Sequence, residues 1–219
     1  MQVSISREMD VRLRAPRFVP QPQIEKFIHQ KARWILTKLS QQQTRREILD
    51  QRRYCHGSQF LFLGRSCVLE VRDGDRAKII FDGQKWQADV PANFHDQGRE
   101  NLIKRLLRDW YIFQAKEFLA VRLFHYARPM GLSPQGITVK SQKRLWGSCS
   151  HHRQTIRLNW LLILAPVEVI DYVIVHELCH LRVPNHSKKF WREVALVVPD
   201  YKVRQQWLKD HSVDLILPN

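Results

Sequence analysis

Four residues of this 219-residue chain have types and spacing that can do chemistry: His176-Glu177-x-x-His180, and then His186. On a helix, residues four apart share a face about 6 Å apart along the axis, so both imidazoles can bring a ring nitrogen roughly 2.0–2.1 Å from one zinc ion. On a strand the same side chains would share a face about 13 Å apart, too far to share a metal. The spacing therefore predicts a helix through His176 and His180. Glu177 then projects beside the metal without binding it, where a carboxylate can take a proton from water and return it to a leaving group. A hydrolytic zinc site needs a third protein ligand and one open position. His186 is the expected third ligand, because the chain leaves the helix at Val183-Pro184-Asn185 and can fold back; Glu193 is the rival donor. Three neutral imidazoles leave the charge of Zn²⁺ uncompensated, which acidifies water and polarises a carbonyl or phosphoryl oxygen. Zn²⁺ is the expected cofactor, with another divalent ion as the alternative.

The elements that must hold these residues follow from periodicity. Pro166 suits a first helical position and Glu168 complements the positive end of the helix dipole, while Pro184 sets the stop near Val183. Residues 98–128 read as one long helix with Leu102, Ile103, Leu106, Leu107, Trp110 and Phe113 on its apolar face. Two strands are expected at 136–141 and 155–160, with Trp146-Gly-Ser-Cys-Ser150 as the turn between them. Phe190-Trp191 and Trp207 are expected to pack the C-terminal helices behind the metal helix. His125 and His151-His152 have no partners at ligand spacing and read as solvated or locally bonded. Tyr201 and Asn159 are candidates for stabilising an oxyanion.

Towards the N-terminus, residues 9–14 read as a strand. Pro20 and Pro22 introduce a helix in which Ile24, Phe27, Ile28, Ile35, Leu36 and Leu39 recur at helical spacing, with the polar tract 40–46 as its exposed end or a connector. Four apolar runs follow, at 60–63, 67–71, 77–81 and 85–90, separated by Gly64-Arg65, Asp73-Gly74-Asp75 and Asp82-Gly83. Such breaks signal hairpins, so a small antiparallel sheet is expected. The fold class is thus α+β, with residues 1–96 as an N-terminal helix and small β lobe and 97–219 as the catalytic domain.

Composition bounds the rest. With 44% hydrophobic residues and 8 glycines the chain can bury an ordinary core. It shows no secretory leader pattern and no apolar run of roughly 18 residues, so a cytoplasmic protein without a membrane partner is expected. The four cysteines stand far apart and read as reduced thiols rather than a disulfide framework. The net charge of +15 is concentrated: residues 1–56 carry twelve cations against five anions and residues 99–160 twelve against three, while 57–98 and 161–219 are close to balance. Such basic segments attract polyanions, which makes a nucleotide substrate or a nucleic-acid partner an alternative.

The run Trp146-Gly-Ser-Cys-Ser150, Ile156-Arg-Leu-Asn-Trp160, Leu164-Ala-Pro166, Asp171-Tyr172, His176-Glu-Leu-Cys-His-Leu181, Asn185-His-Ser187 and Phe190-Trp191 resembles the YgjP-like metallopeptidase domain of bacteria. The likeness is densest over residues 140–207. It implies a zincin-type fold with a mixed sheet and an active-site helix, kinship with SprT-like and WLM proteases, His176, His180 and His186 as ligands and Glu177 as base. Metzincins share the His-Glu-x-x-His-x5-His spacing but carry glycine where this chain has Val183, and need a later methionine; the methionines here are Met1, Met9 and Met130. In zincins an edge strand beside the active-site helix binds extended peptide, and 155–160 is the segment expected there. The resemblance implies a metallopeptidase acting on a peptide substrate. Two alternatives are nucleoside-triphosphate (UTP-like) pyrophosphate hydrolysis at the same site and a nucleic-acid-binding or nucleic-acid-associated protein with a zinc site.

Overall fold

A single helix, α3 (Val167–Cys179), runs through the centre of the molecule with apolar residues buried on every side. This explains why Val173-Ile174-Val175, weak helix formers, are helical: burial all round outweighs the few tenths of a kcal/mol each costs in propensity. The computed structural model describes residues 1–6, 9–50, 53–142 and 145–217, except for the side chains of 45, 46 and 48–50. The fold is α+β. A two-stranded sheet of β1 (Gln2–Ile5) and β2 (Val11–Arg14) precedes the long helix α1 (Gln21–Asp50). β3 (Gln59–Phe62), β4 (Arg65–Asp73), β5 (Lys78–Phe81) and β6 (Lys85–Val90) form a four-stranded sheet of order β3-β4-β6-β5. Then come helix α2 (Asp96–Ala127) and a three-stranded sheet of β7 (Gly136–Lys140), β8 (Gly147–Ser150) and β9 (Thr155–Asn159), of order β7-β9-β8. A 3₁₀ turn at Trp160–Leu164, α3, α4 (Lys188–Val197) and α5 (Tyr201–Asp210) complete the chain.

Three expectations are corrected. The four-stranded sheet is mixed: β3–β4 and β5–β6 pair antiparallel, but β4 and β6 are parallel, because the β5–β6 hairpin folds over so that β6 rather than β5 lies against β4. Residues 147–150, read as a turn, are a strand antiparallel to β9. β9 is consequently the centre of its sheet, flanked by β7 and β8, and cannot be the substrate-binding edge. The N-terminal strand at 9–14 is present but shorter, and its partner β1 was not expected.

What fixes α3 comes from three directions. Ile103, Leu107, Tyr111, Ala115, Leu119 and Leu123 repeat every four residues as the buried stripe of α2. From the same helix, Arg122 holds Asp171 of α3 through two bonds, Nε to Oδ1 at 2.9 Å and Nη2 to Oδ2 at 2.5 Å, and Tyr126 donates its hydroxyl to Oδ2 at 2.9 Å. The third tie is the β3–β4 turn. Leu63 and Gly64 both have positive φ, 49° and 79°, and their amides donate to the carbonyls of Ile163 and Leu164 at 2.8 and 3.2 Å. A Cβ on Gly64 would come within 2.8 Å of Pro166 at the start of α3, so the turn can sit there only as glycine. Among the described residues no helix is long and apolar enough to cross a membrane.

Candidate metal centre

His176 lies in the last turn of α3, and His180 caps that helix. The helix ends at Cys179, earlier than expected, because the chain winds into a tight turn. Arg182 and Val183 donate to the carbonyl of Cys179 at 3.1 and 2.9 Å, which brings residues 184–187 back across the helix end. His186 arrives there, just before α4. The three Nε2 atoms form an almost equilateral triangle: 3.2 Å from His176 to His180, 3.2 Å from His180 to His186 and 3.1 Å from His186 to His176. Tetrahedral donors at 2.0–2.1 Å from a zinc ion stand about 3.3 Å apart, so the triangle has the size that a shared ion requires.

The electrostatics favour neutral, donating imidazoles. Burial first, and then its two histidine neighbours, push the His176 pKa down to about 3. Burial and His186 also lower that of His180, against a rise from its hydrogen bond to Val183. That bond assigns a tautomer: a carbonyl can only accept, so at 3.1 Å from Val183 O the Nδ1 of His180 carries the proton and its Nε2 presents a lone pair. Nδ1 of His176 is buried and has no hydrogen-bond partner among the described residues. Its Nε2 faces those of His180 and His186, and three imidazole nitrogens at this spacing are a donor set that suits a divalent cation. His176, His180 and His186 are also the one group of metal-capable side chains brought together among the described residues.

Two aromatic residues complete the cluster, and here the expectation was wrong. Phe190 and Trp191 do not sit behind the metal helix; α4 turns them onto the histidines. Phe190 stacks on His180 with centroids 4.4 Å apart and planes at 28°, and Trp191 stacks on His186 at 5.6 Å and 25°. Tyr201 stacks in turn on Trp191 at 5.2 Å and 15°. Glu193 is drawn away by Arg182, at 3.4 Å, and does not join the triangle. Asn159 is buried and structural: its Nδ2 donates to Gln142 O and Leu145 O, and its Oδ1 caps the 3₁₀ turn at Leu161 N. His151 bonds through Nδ1 to the carbonyl of His180 at 3.2 Å, and His125 packs edge-on against Tyr126. All four cysteines are free thiols.

Glu177 is buried, and desolvation raises its pKa to about 8. Its side chain lies against the backbone of β8: a Cβ built on Gly147 would fall 2.6 Å from both Cγ and Oε1. Sequence reasoning took the Gly-Ser-Cys-Ser segment for a turn because it lacks bulky alternating residues. Its small side chains instead let an edge strand approach the carboxylate. β8 pairs on one side with β9, and among the described residues its other edge has no strand partner.

The profile described as "YgjP-like, metallopeptidase domain" matches residues 1–211. Among solved structures, the chain is similar to the metallopeptidase zymogen abylysin of Pyrococcus abyssi, with 25% identity and a TM-score of 0.39 over 43% of this chain and 95% of that chain. Jannalysin of Methanocaldococcus jannaschii, also a metallopeptidase zymogen, gives 23% identity and a TM-score of 0.38 over 43% and 94%. No curated protein matches.

Proposed function

The chain belongs to the YgjP-like metallopeptidase domain family, and on that premise we propose that it hydrolyses peptide bonds with one zinc ion held by His176, His180 and His186 and with Glu177 as general base. The observation that carries this reading is the Nε2 triangle with edges of 3.1–3.2 Å, with the glutamate that follows the first ligand buried against an edge strand. Bound zinc supplies Lewis acidity, lowering the pKa of water and polarising a carbonyl. The protein's own residues do the rest. The backbone of β8 offers its open edge to an extended peptide, which would pair with it as an added strand and lay a peptide bond beside Glu177. The Glu177 carboxylate takes the proton of the attacking water and delivers it to the departing amine nitrogen. Low solvent access around Glu177 strengthens both transfers and keeps its basicity high. Phe190 and Trp191 hold the rings of His180 and His186 in orientation.

The reading is tested with zinc-loaded protein and a fluorescein-labelled unfolded protein as substrate, with nucleoside triphosphates assayed alongside. Peptide turnover is expected to vanish on chelation and to fall about 10²–10⁴-fold in Glu177→Gln, the range for loss of a general base. Turnover of triphosphates alone, or undiminished proteolysis by the variant, would overturn it.

A further inference from the structure

A cavity of about 800 Å³ lies between β1, α1 and α5, and two residues join it to the metal centre. Tyr172, on its floor, is one helical turn before His176 on the same face of α3, with ring centroids 5.9 Å apart. Trp146, also on its lining, immediately precedes Gly147, the residue against which Glu177 rests. The cavity therefore borders both the metal helix and the Gly147 end of β8. On its far side stands β1, which pairs only with β2 among the described residues and so has a second open edge.

Its charge is one-sided. Among the described residues Arg12, Lys38 and Lys209 line it, against the single carboxylate of Asp210. Asp210 is already engaged, by Lys38 at 3.4 Å and by the Gln206 amide at 2.9 Å. Arg12 reaches Asp10 only at 3.7 Å, with both side chains about half exposed, which compensates little. Lys209 is exposed, with no ion-pair partner among the described residues. The remaining wall is neutral and hydrogen-bonding, with Gln2, Ser4 and Gln205 facing the space, and Trp34 supplies an apolar surface. Such a wall attracts carboxylates and repels lysine and arginine side chains.

We propose that this cavity is a substrate subsite that receives the acidic stretch of an extended polypeptide lying beyond the Gly147 end of β8. The N-terminal segment, through β1, Arg12 and α1, is then part of the specificity apparatus. This deepens the peptidase reading and rests on it.

The test uses three fluorescent dodecapeptides, identical except for Glu, Gln or Lys at three consecutive positions on one side of a common cleavable core. They are offered to the zinc-loaded full-length protein and to a double variant, Arg12→Glu with Lys209→Glu, whose folding is checked by thermal unfolding. The wild type is expected to cleave the Glu peptide about five- to tenfold more efficiently than the Lys peptide, through KM, with the gap closing as salt rises. The double variant should reverse the order of the Glu and Lys peptides. An Arg12→Gln, Lys209→Gln pair should abolish the preference, and serves if the reversal destabilises the fold. Cleavage of all three peptides without preference, or a preference unaltered in both double variants, would overturn the proposal and leave the peptidase reading standing. Anisotropy with Glu177→Gln separates the other case: selective binding of the Glu peptide without turnover by the wild type would keep the subsite and remove the peptidase.

Discussion

Gly147 and Glu177 are in contact so close that no side chain can stand between them: one added methyl at Gly147 meets the glutamate Cγ and Oε1 at 2.6 Å. The contact couples an edge strand to the residue one step after the first histidine of the triangle. Gly147→Ala is therefore expected to displace the carboxylate and cut kcat about 10²-fold, the scale of a misplacement near 1 Å. Zinc content should be unchanged, since the triangle is not touched. Kinetics together with metal analysis check this, and a variant with full activity would show that the carboxylate position is immaterial.

The stack of Trp191 on His186 gives a second expectation. His186 is the most exposed of the three histidines, and the Trp191 ring, itself backed by Tyr201, is what restrains it. Trp191→Ala should weaken zinc binding about 10- to 100-fold, as loss of outer-shell support commonly does. Trp191→Phe should retain most of the affinity. Competition with a chromophoric chelator measures both; equal affinity in the alanine variant would contradict the restraint.

In the metal-free protein, Glu177 has a carboxyl pKa raised by burial from its ordinary 4.5 to about 8. The unfolded chain ionises this group near 4.5 while the folded protein keeps the proton, so between those values the unfolded state binds fewer protons. Its contribution to stability is full below pH 4.5 and is lost as pH rises through 8, a change of a few kcal/mol at about 1.4 kcal/mol per pKa unit. Because the lowered His176 and His180 act with the opposite sign below about pH 6.5, urea unfolding of the metal-free protein should show that fall between about pH 6.5 and 8, and Glu177→Gln should flatten it there. Parallel curves for the two proteins would contradict the burial of an uncompensated carboxyl.

The Arg122–Asp171 pair braces the metal helix from α2, with Asp171 5% exposed. Arg122→Ala leaves that carboxylate buried with only Tyr126 as partner among the described residues. Because Arg122 itself is about a quarter exposed, the loss is placed at the lower end for breaking such a pair, about 3 kcal/mol. Tyr126→Phe should cost about 1 kcal/mol. Urea midpoints check the ranking, and a shift below 1 kcal/mol for Arg122→Ala would contradict a bracing role.

Particular residues show what sequence could and could not reveal. The helix through His176 and His180 was legible because helical geometry lets their nitrogens converge, whereas the turn that returns His186 begins at Cys179, ahead of the stop expected from Pro184. The long helix α2 announced itself by its apolar period. Strand pairing was not legible, because it depends on which strands meet and not on local pattern: β6 lies beside β4 only because the β5–β6 hairpin folds over. β8 was hidden for a different reason. Its Gly-Ser-Cys-Ser sequence carries no strand signature, since the space beside Glu177 admits no bulk. With β8 unread, β9 was given the edge that β8 occupies. The stacking of Phe190 and Trp191 depends on how α4 is rotated against the end of α3, which no residue pattern within α4 specifies.

The zinc K-edge absorption spectrum of the loaded protein, compared with that of Glu177→Gln, addresses the three-histidine centre most directly. The expected result is three imidazole nitrogens at roughly 2.0–2.1 Å and one further light atom, the same in both proteins, with His186→Ala losing one imidazole. A first shell that contains sulfur, that changes when Glu177 is replaced, or that keeps three imidazoles without His186 would contradict it.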